Sequence, residues 1–125
     1  MARRLMQDHG FRSVIVGGPD EVDECARVHE LSAPATDNLC GRTEVFDLVP
    51  LGRRAVPVVA NDTGPGHILA AADKPMVCIC GPTDPVRVKP ICSKVETLQA
   101  EVECRNCYLK ECPNRHICME EVTAD

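Results

Sequence analysis

Short, continuous apolar runs alternate along the chain with longer segments in which apolar and polar residues are mixed. The run at residues 13–16 is β-branched and stops at Gly17-Gly18-Pro19, which is typical of a buried strand followed by a turn. Gly10 is expected to end the first helix, and Thr43 is expected to cap the third. The pattern predicts strands at 13–16, 39–40, 56–60, 76–80 and near Val95, and helices at 1–9, 20–31, 45–51 and 67–72.

This alternation of strands and helices is typical of βαβ units and predicts an α/β fold with a parallel sheet. Continuous apolar runs are expected where strands are covered on both faces. Every glycine-rich polar turn follows a predicted strand, and parallel sheets bind ligands at the carboxyl ends of their strands. We therefore expect these turns to gather at one edge of the sheet: residues 17–21, 41–43, 61–67 and 81–85.

Length limits the number of domains, and composition and charge limit the kind of core and the class of partner. The 125 residues suffice for one domain, and Phe11, Phe46 and Tyr108 are the only aromatic residues, so the core must be aliphatic. A net charge of −5 argues against a general nucleic-acid binder, which needs a basic surface. No apolar run approaches the roughly 18–20 residues of a membrane span, and the start has no apolar leader stretch. The chain is therefore expected to be cytoplasmic.

The turn at residues 61–67, NDTGPGH, joins a predicted strand to a predicted helix. Gly64 and Gly66 permit positive φ and let a ligand approach the backbone, while Pro65 suits a first helical turn. Free amides and the helix dipole at such a point favour a phosphate.

Three side chains in this turn can take part in binding. His67 and the Thr63 hydroxyl can donate to phosphate oxygens. Asp62 is expected to accept from turn amides or sugar hydroxyls, because a carboxylate repels a diphosphate. From the pattern alone, a simple capped turn with an exposed His67 is an equally good interpretation.

The segment VVANDTGPGHILAAADKPMVCICGPTDP resembles the signature of glycosyltransferase family 9, the ADP-heptose:lipopolysaccharide heptosyltransferases. The matching pieces are Asp62-Thr63-Gly64-x-x-His67, Lys74-Pro75 and the GPTDP segment at residues 81–85. Upstream, residues 16–21 (VGGPDE) and 38–43 (NLCGRT) resemble the family's second and third strands with their turns. The spaced cysteines near the end resemble a tail found in many members, so the resemblance covers nearly the whole chain.

The resemblance implies the C-terminal, donor-binding half of a GT-B glycosyltransferase, in which two Rossmann-like domains flank the active site. Residues 1–103 would form the nucleotide-sugar domain, lacking its first strand, and residues 104–125 a cysteine-rich tail. The catalytic base is expected in the absent N-terminal domain, so no catalytic residue is expected in this chain. Met1 is accordingly expected to be a truncated or engineered boundary.

The resemblance also implies which residues hold the donor. The diphosphate-binding turn maps to Asp62, Thr63, Gly64 and His67, the ribose-binding carboxylate to Glu21, and the adenine-lining segment to Arg42 and Thr43. A carboxylate that accepts two ribose hydroxyls is a common arrangement in doubly wound sheets. On the residues alone, an acidic residue placed at a helix start by the dipole is the better interpretation of Glu21, and only the resemblance favours ribose binding.

The implied reaction moves heptose, with inversion, from ADP-heptose to a lipopolysaccharide core acceptor. The charge on the leaving ADP would be stabilised by turn amides, His67 and basic residues, so no metal or other cofactor is required. The fragment alone is expected to be inactive. The expected partners are the nucleotide sugar and, through the missing domain, the acceptor, with no nucleic acid. The full-length enzyme is expected at the cytoplasmic face of the inner membrane as a peripheral protein.

Four of the nine cysteines are concentrated near the end of the chain, at Cys104, Cys107, Cys112 and Cys118. Their spacing permits a tetrahedral zinc site with His116 as a substitute ligand, but it lacks the usual second Cys-x-x-Cys pair. Disulfides and free thiols remain open on the same spacing. The alternative function is therefore a small metal-binding or redox module on a Rossmann-like scaffold.

Overall fold

Two parallel sheets organise the chain in a computed structural model, which describes residues 1–123. The chain divides into two units, the first being Met1–Glu44 and the second beginning at Val45. The division predicted from the sequence, 1–103 and 104–125, stays a prediction, and its last two residues lie outside the described part. No helix within residues 1–123 is long and apolar enough to cross a membrane.

The first unit is a β-α-β arrangement preceded by a helix. Gly10 ends that helix as predicted, in the left-handed conformation with φ 71°. Strands β1 and β2 pair in parallel, with Ser13 opposite Thr36. The elements are α1 (Ala2–His9), β1 (Ser13–Ile15), a 3₁₀ turn (Pro19–Glu21), α2 (Val22–Ser32) and β2 (Thr36–Asn38).

The strand predicted at residues 39–40 is wrong, because β2 lies just before it at Thr36–Asn38. The reason is local: the Asn38 side-chain oxygen accepts from the Cys40 N–H at 2.9 Å and turns the backbone there. Leu39 donates its N–H to Ile15 at the end of β1. Residues 39–40 are therefore the start of the turn that follows β2.

The second unit contains a three-stranded parallel sheet in the order β3-β4-β5. The strand near Val95 is confirmed as the edge strand β5. The elements are a 3₁₀ turn (Val45–Asp47), α3 (Leu48–Arg54), β3 (Val58–Asn61), α4 (Gly64–Ala70), β4 (Met76–Ile79), α5 (Pro85–Val88), β5 (Val95–Leu98) and α6 (Ile117–Glu120).

Two helix starts differ from the sequence prediction. Helix α3 is preceded by a 3₁₀ turn and has Asp47 at its N-cap, so Thr43 does not cap it. Helix α4 begins at Gly64 rather than at His67. Pro65 explains the earlier start, because its fixed φ suits the first helical turn and its missing N–H leaves no donor unsatisfied there.

The core of the second unit is aliphatic, as predicted, and cysteine serves in it as a small apolar residue. Cys78 and Cys80 are fully buried, and Gly52 of α3 lets that helix approach α4 closely. Of the strands described, only β4 is covered on both faces: Val14 of β1 and Leu98 of β5 are nearly half exposed. The expectation that all strands are covered on both faces is therefore wrong for the two-stranded sheet and for the two edge strands, β3 and β5.

Candidate functional site

The turns that follow β3 and β4 lie side by side. The Asp62 N–H donates to the Ile79 carbonyl at the end of β4, at 3.1 Å. Since β3 and β4 are parallel neighbours, residues 61–67 and 81–85 leave the sheet at the same edge. The shared edge predicted for the strand-following turns is thus confirmed within the second unit.

The two glycines of the first turn have different roles. Both are helical, so neither uses the positive φ that glycine permits; within residues 1–123 the only glycines that adopt it are Gly10 and Gly41. A Cβ on Gly66 would lie 2.7 Å from the Asn61 carbonyl oxygen, whereas a Cβ on Gly64 would meet nothing within 4 Å. Gly66 therefore permits close packing on β3, and Gly64 leaves the outer side of the turn open.

Asp62 and His67 contact each other across the turn. The His67 Nε2 lies 3.2 Å from the Asp62 Oδ1, with the histidine side chain 47% exposed and the aspartate 13%. The sequence predicted turn amides or sugar hydroxyls as the partners of Asp62. The structure shows His67 as a side-chain partner, and hydrogen bonding to sugar hydroxyls stays a prediction. No side chain within the described residues caps α4, so its first amides are available to a ligand.

The Thr63 hydroxyl lies at the same turn and donates to the Asn61 carbonyl at 3.4 Å. Its residue is exposed, so the hydroxyl can exchange this long hydrogen bond for one to a ligand. Thr63, Gly64 and His67 therefore present a hydroxyl, free amides and a ring nitrogen on one short segment. Such a set suits an anionic ligand.

Two buried thiols lie beneath this edge. The sulfurs of Cys78 and Cys80 are 4.0 Å apart. Burial, with Cys80 and the Asp62 carboxylate adding to it, raises the pKa of Cys78 to about 12. Burial likewise raises the pKa of Cys80, with smaller effects from Asp62 and Asp84. Both thiols therefore stay protonated at neutral pH and act as core residues rather than nucleophiles.

Gln99 holds the second turn, and sequence reasoning missed it. Its Nε2 donates to the carbonyls of Gly81 at 3.0 Å and Thr83 at 2.8 Å, and to the Asn106 side chain at 2.8 Å. Gln99 directly follows β5, so its position after a predicted strand near Val95 was the available signal. The hydroxyl of Thr83 is buried without a hydrogen-bond partner in the described chain.

Tyr108 fixes the same turn from the tail. Its N–H donates to the Pro82 carbonyl at 2.9 Å, and its hydroxyl accepts from the Asp84 N–H at 3.1 Å. The Asp84 carboxylate in turn caps α5 by accepting from the Val86 N–H at 3.0 Å. Tyr108 and Gln99 together thereby hold most of the turn at residues 81–85.

In the first unit the structure brings Glu21 close to the turn that carries Arg42 and Thr43. The Gly41 N–H donates to the Gly17 carbonyl at 3.0 Å, linking the turn after β2 to the turn after β1. Gly41 has φ 68°, which favours glycine. These three predicted donor-binding residues thus share the carboxyl edge of the two-stranded sheet.

The Glu21 carboxylate is already engaged in its own turn. Its Oε2 accepts from the Gly18 N–H at 2.7 Å. This hydrogen bond agrees with the interpretation of Glu21 as an acidic residue at a helix start. It also holds the carboxylate at the end of the strand. The other carboxylate oxygen can there accept a hydrogen bond from a ligand hydroxyl. Arg42 is exposed and Thr43 half-buried.

The four spaced cysteines line one cavity with a volume of about 170 Å³. All four are free thiols. Burial raises the pKa of Cys118, and the neighbouring Cys104, Cys112 and Cys107 add to that shift. As the side chains stand, no three Cys, His, Asp or Glu residues within 1–123 are disposed to hold a metal ion. The sequence-based zinc assignment stays a prediction.

Comparison with known proteins places this arrangement in a family. The family model described as "Glycosyltransferase family 9 (heptosyltransferase)" matches residues 2–118. Lipopolysaccharide heptosyltransferase 3 of Escherichia coli K12 is 37% identical over an alignment of 90 residues that covers 68% of this chain and 26% of that protein. Lipopolysaccharide heptosyltransferase 2 of Salmonella typhimurium is 34% identical over 103 residues, 79% of this chain and 29% of that protein.

Solved structures give the same fold. The structure of E. coli ADP-heptose lps heptosyltransferase II matches 83% of this chain and 33% of its own, with a TM-score of 0.72 and 22% identity. A glycosyl transferase family 9 structure from Veillonella parvula matches 78% of this chain and 28% of its own, with a TM-score of 0.70 and 23% identity. The chain spans about a quarter to a third of these relatives, and its Rossmann-like α/β fold is confirmed. Because the family model matches nearly its whole length, the chain belongs to glycosyltransferase family 9.

Proposed function

We propose that this chain is the donor-binding part of a heptosyltransferase that transfers heptose from ADP-heptose to a lipopolysaccharide core acceptor. Membership of glycosyltransferase family 9 supports the reaction class, and the names of two lipopolysaccharide heptosyltransferase relatives support the acceptor. Likeness to the E. coli ADP-heptose lps heptosyltransferase II supports the donor. The chain spans about a third of that protein, and we assign the acceptor contacts and the catalytic base to parts outside it.

The observation that carries the proposal is the open turn at the end of β3. Gly64 leaves its outer side free, and no side chain of the described residues caps the N-terminus of α4. We assign the diphosphate to the first amides of α4, with the Thr63 hydroxyl and His67 donating to its oxygens. Asp62 holds the imidazole in position through the 3.2 Å contact between its Oδ1 and the His67 Nε2.

The nucleoside part of the donor is assigned to residues of the first unit. Glu21 accepts from the ribose hydroxyls, and the segment carrying Arg42 and Thr43 lines the adenine. Support comes from the family resemblance of residues 16–21 and 38–43 and from the linked turns that present them. We assign the Arg42 contact to its backbone.

In the full enzyme the reaction inverts the anomeric carbon. A base outside this chain removes a proton from the acceptor hydroxyl, and ADP leaves. The turn amides and His67 stabilise the charge that develops on the diphosphate, so the reaction needs no metal or other cofactor. This chain alone binds ADP and transfers nothing. The complete enzyme works as a peripheral protein at the cytoplasmic face of the inner membrane.

Calorimetry with ADP tests the proposal on the chain as it stands. ADP is expected to bind weakly, and His67→Ala to weaken binding by about tenfold, or roughly 1.4 kcal/mol for one hydrogen bond to a charged group. His9→Ala is the matched control, because His9 is an exposed histidine of α1, and it should leave binding unchanged. A folded chain that binds no ADP at millimolar ligand would contradict the proposal.

A further inference from the structure

The cysteine tail is a second site that the donor-binding proposal does not use. Cys104, Cys107, Cys112 and Cys118 line one cavity of about 170 Å³, and His116 lies on its wall. All four sulfurs are free thiols, within a segment of 15 residues. The spacing of the cysteines in the sequence does not require all four thiols to line the same cavity, so their shared position is a separate observation.

The backbone between the cysteines is folded tightly enough to bring them together. Asn106, Tyr108, Arg115 and His116 all adopt positive φ, between 52° and 61°, which is uncommon for residues other than glycine and asparagine. The His116 N–H also donates to the Cys112 sulfur at 3.2 Å.

Apolar burial does not account for this conformation. From residue 99 to residue 116 there is neither helix nor strand, and Tyr108 and Leu109 are 50% and 53% exposed. Cys118 is the one cavity cysteine that is buried, at 3% exposure. Small, loop-rich segments of this kind are commonly held by a metal or by disulfides, and no disulfide joins these residues.

We propose that Cys104, Cys107, Cys112 and Cys118 bind one zinc ion through four thiolates. Four soft sulfur ligands suit tetrahedral Zn²⁺ and disfavour Mg²⁺ or Ca²⁺. Binding releases the four thiol protons and leaves a site of net charge −2, next to which Lys110 lies on the cavity wall. Because no three side chains of the described residues are disposed to hold a metal as they stand, uptake requires the cysteine side chains to rotate inward.

The zinc would act on the turn at residues 81–85. The Cys118 sulfur lies 3.4 Å from the place where a Cβ on Gly81 would sit, and Tyr108, between two of the ligands, donates to the Pro82 carbonyl. A metal that fixes the tail therefore also fixes the second turn of the sheet edge. This structural role holds whether or not the chain binds a nucleotide.

The test is the metal content and the zinc affinity of the full chain, prepared with reductant and without chelator. Elemental analysis is expected to give one zinc per chain. Cys107→Ser, at an exposed ligand position, is expected to weaken zinc binding by at least about 100-fold in competition with a chromophoric chelator. Cys92→Ser is the matched control in the same unit, since Cys92 lies outside the cavity, and it should keep full zinc content.

A structural readout accompanies the metal analysis. Chelation should lower the midpoint of thermal unfolding of the wild-type chain and of Cys92→Ser, and leave Cys107→Ser unchanged. Wild-type chain that stays free of zinc after zinc is added overturns the proposal, as does equal loss of metal from Cys92→Ser. A disulfide among the four cysteines in the intact mass, or the absorbance of an iron–sulfur cluster, also overturns it.

Discussion

Gly64 and Gly66 stand two residues apart in one turn and have opposite tolerance for a side chain. Both have helical φ, so alanine at Gly64, where a Cβ meets nothing, should raise the free energy of unfolding by up to about 1 kcal/mol. Alanine at Gly66 would press on the Asn61 carbonyl at 2.7 Å and should lower it by about 1–3 kcal/mol. Chemical denaturation followed by circular dichroism measures both changes.

The same pair of variants separates stability from binding. In Gly64→Ala the new methyl projects into the open side of the turn, where the proposed diphosphate lies. ADP affinity should therefore fall in the variant that is more stable. If Gly64→Ala binds ADP as tightly as the wild type, the phosphate does not lie against this glycine.

At the scale of the elements, the Gln99 side chain joins the end of β5 to the turn at residues 81–85 and to Asn106. Gln99→Ala removes the donors to Gly81, Thr83 and Asn106 and leaves their acceptors with fewer partners, so it should lower the free energy of unfolding by about 1–3 kcal/mol. Gln7→Ala is the control, because Gln7 is exposed on α1 and should change stability by less than about 0.5 kcal/mol. Thermal unfolding of the three proteins side by side gives the comparison. Equal stability of Gln99→Ala and the wild type would mean that the tail alone holds the turn.

The helices and strands also show which parts of the fold could be predicted from the sequence. Long-range parallel pairing was predictable because apolar runs and glycine turns repeat in order. The position of β2 was not, because Thr36–Asn38 has little apolar character and its pairing with β1 is a tertiary effect. For the site, Asp62 and His67 could be found in the motif, but their contact across the turn depends on where α4 begins. The position of Gln99 after a predicted strand could be found in the sequence, but its hydrogen bonds to the turn at residues 81–85 and to Asn106 are long-range contacts that the pattern does not give.

At the scale of the whole molecule, burial is distributed unevenly between the two units. In the first unit only Ala35, Thr36 and Cys40 are buried, and neither α1 nor α2 contributes a buried residue. The remaining buried residues of the described chain belong to the second unit, and many of them lie on β4 and α4. Because local opening is governed by the apolar surface that it exposes, the first unit should open more readily than the second.

Hydrogen exchange measured by mass spectrometry tests the difference in local opening between the two units. The same experiment shows which residues the ligand protects. Without ligand, amides of β1 and β2 should exchange faster than those of β4, since β4 is the strand covered on both faces. With ADP, exchange should slow at residues 61–67 if the turn amides bind phosphate, and at residues 17–21 and 39–43 if Glu21, Arg42 and Thr43 hold the nucleoside. A ligand protects only the amides that it contacts or whose opening it opposes. If exchange slows at residues 61–67 alone, the assignment of the phosphate to this turn stands. The assignment of the nucleoside to the first unit is then wrong.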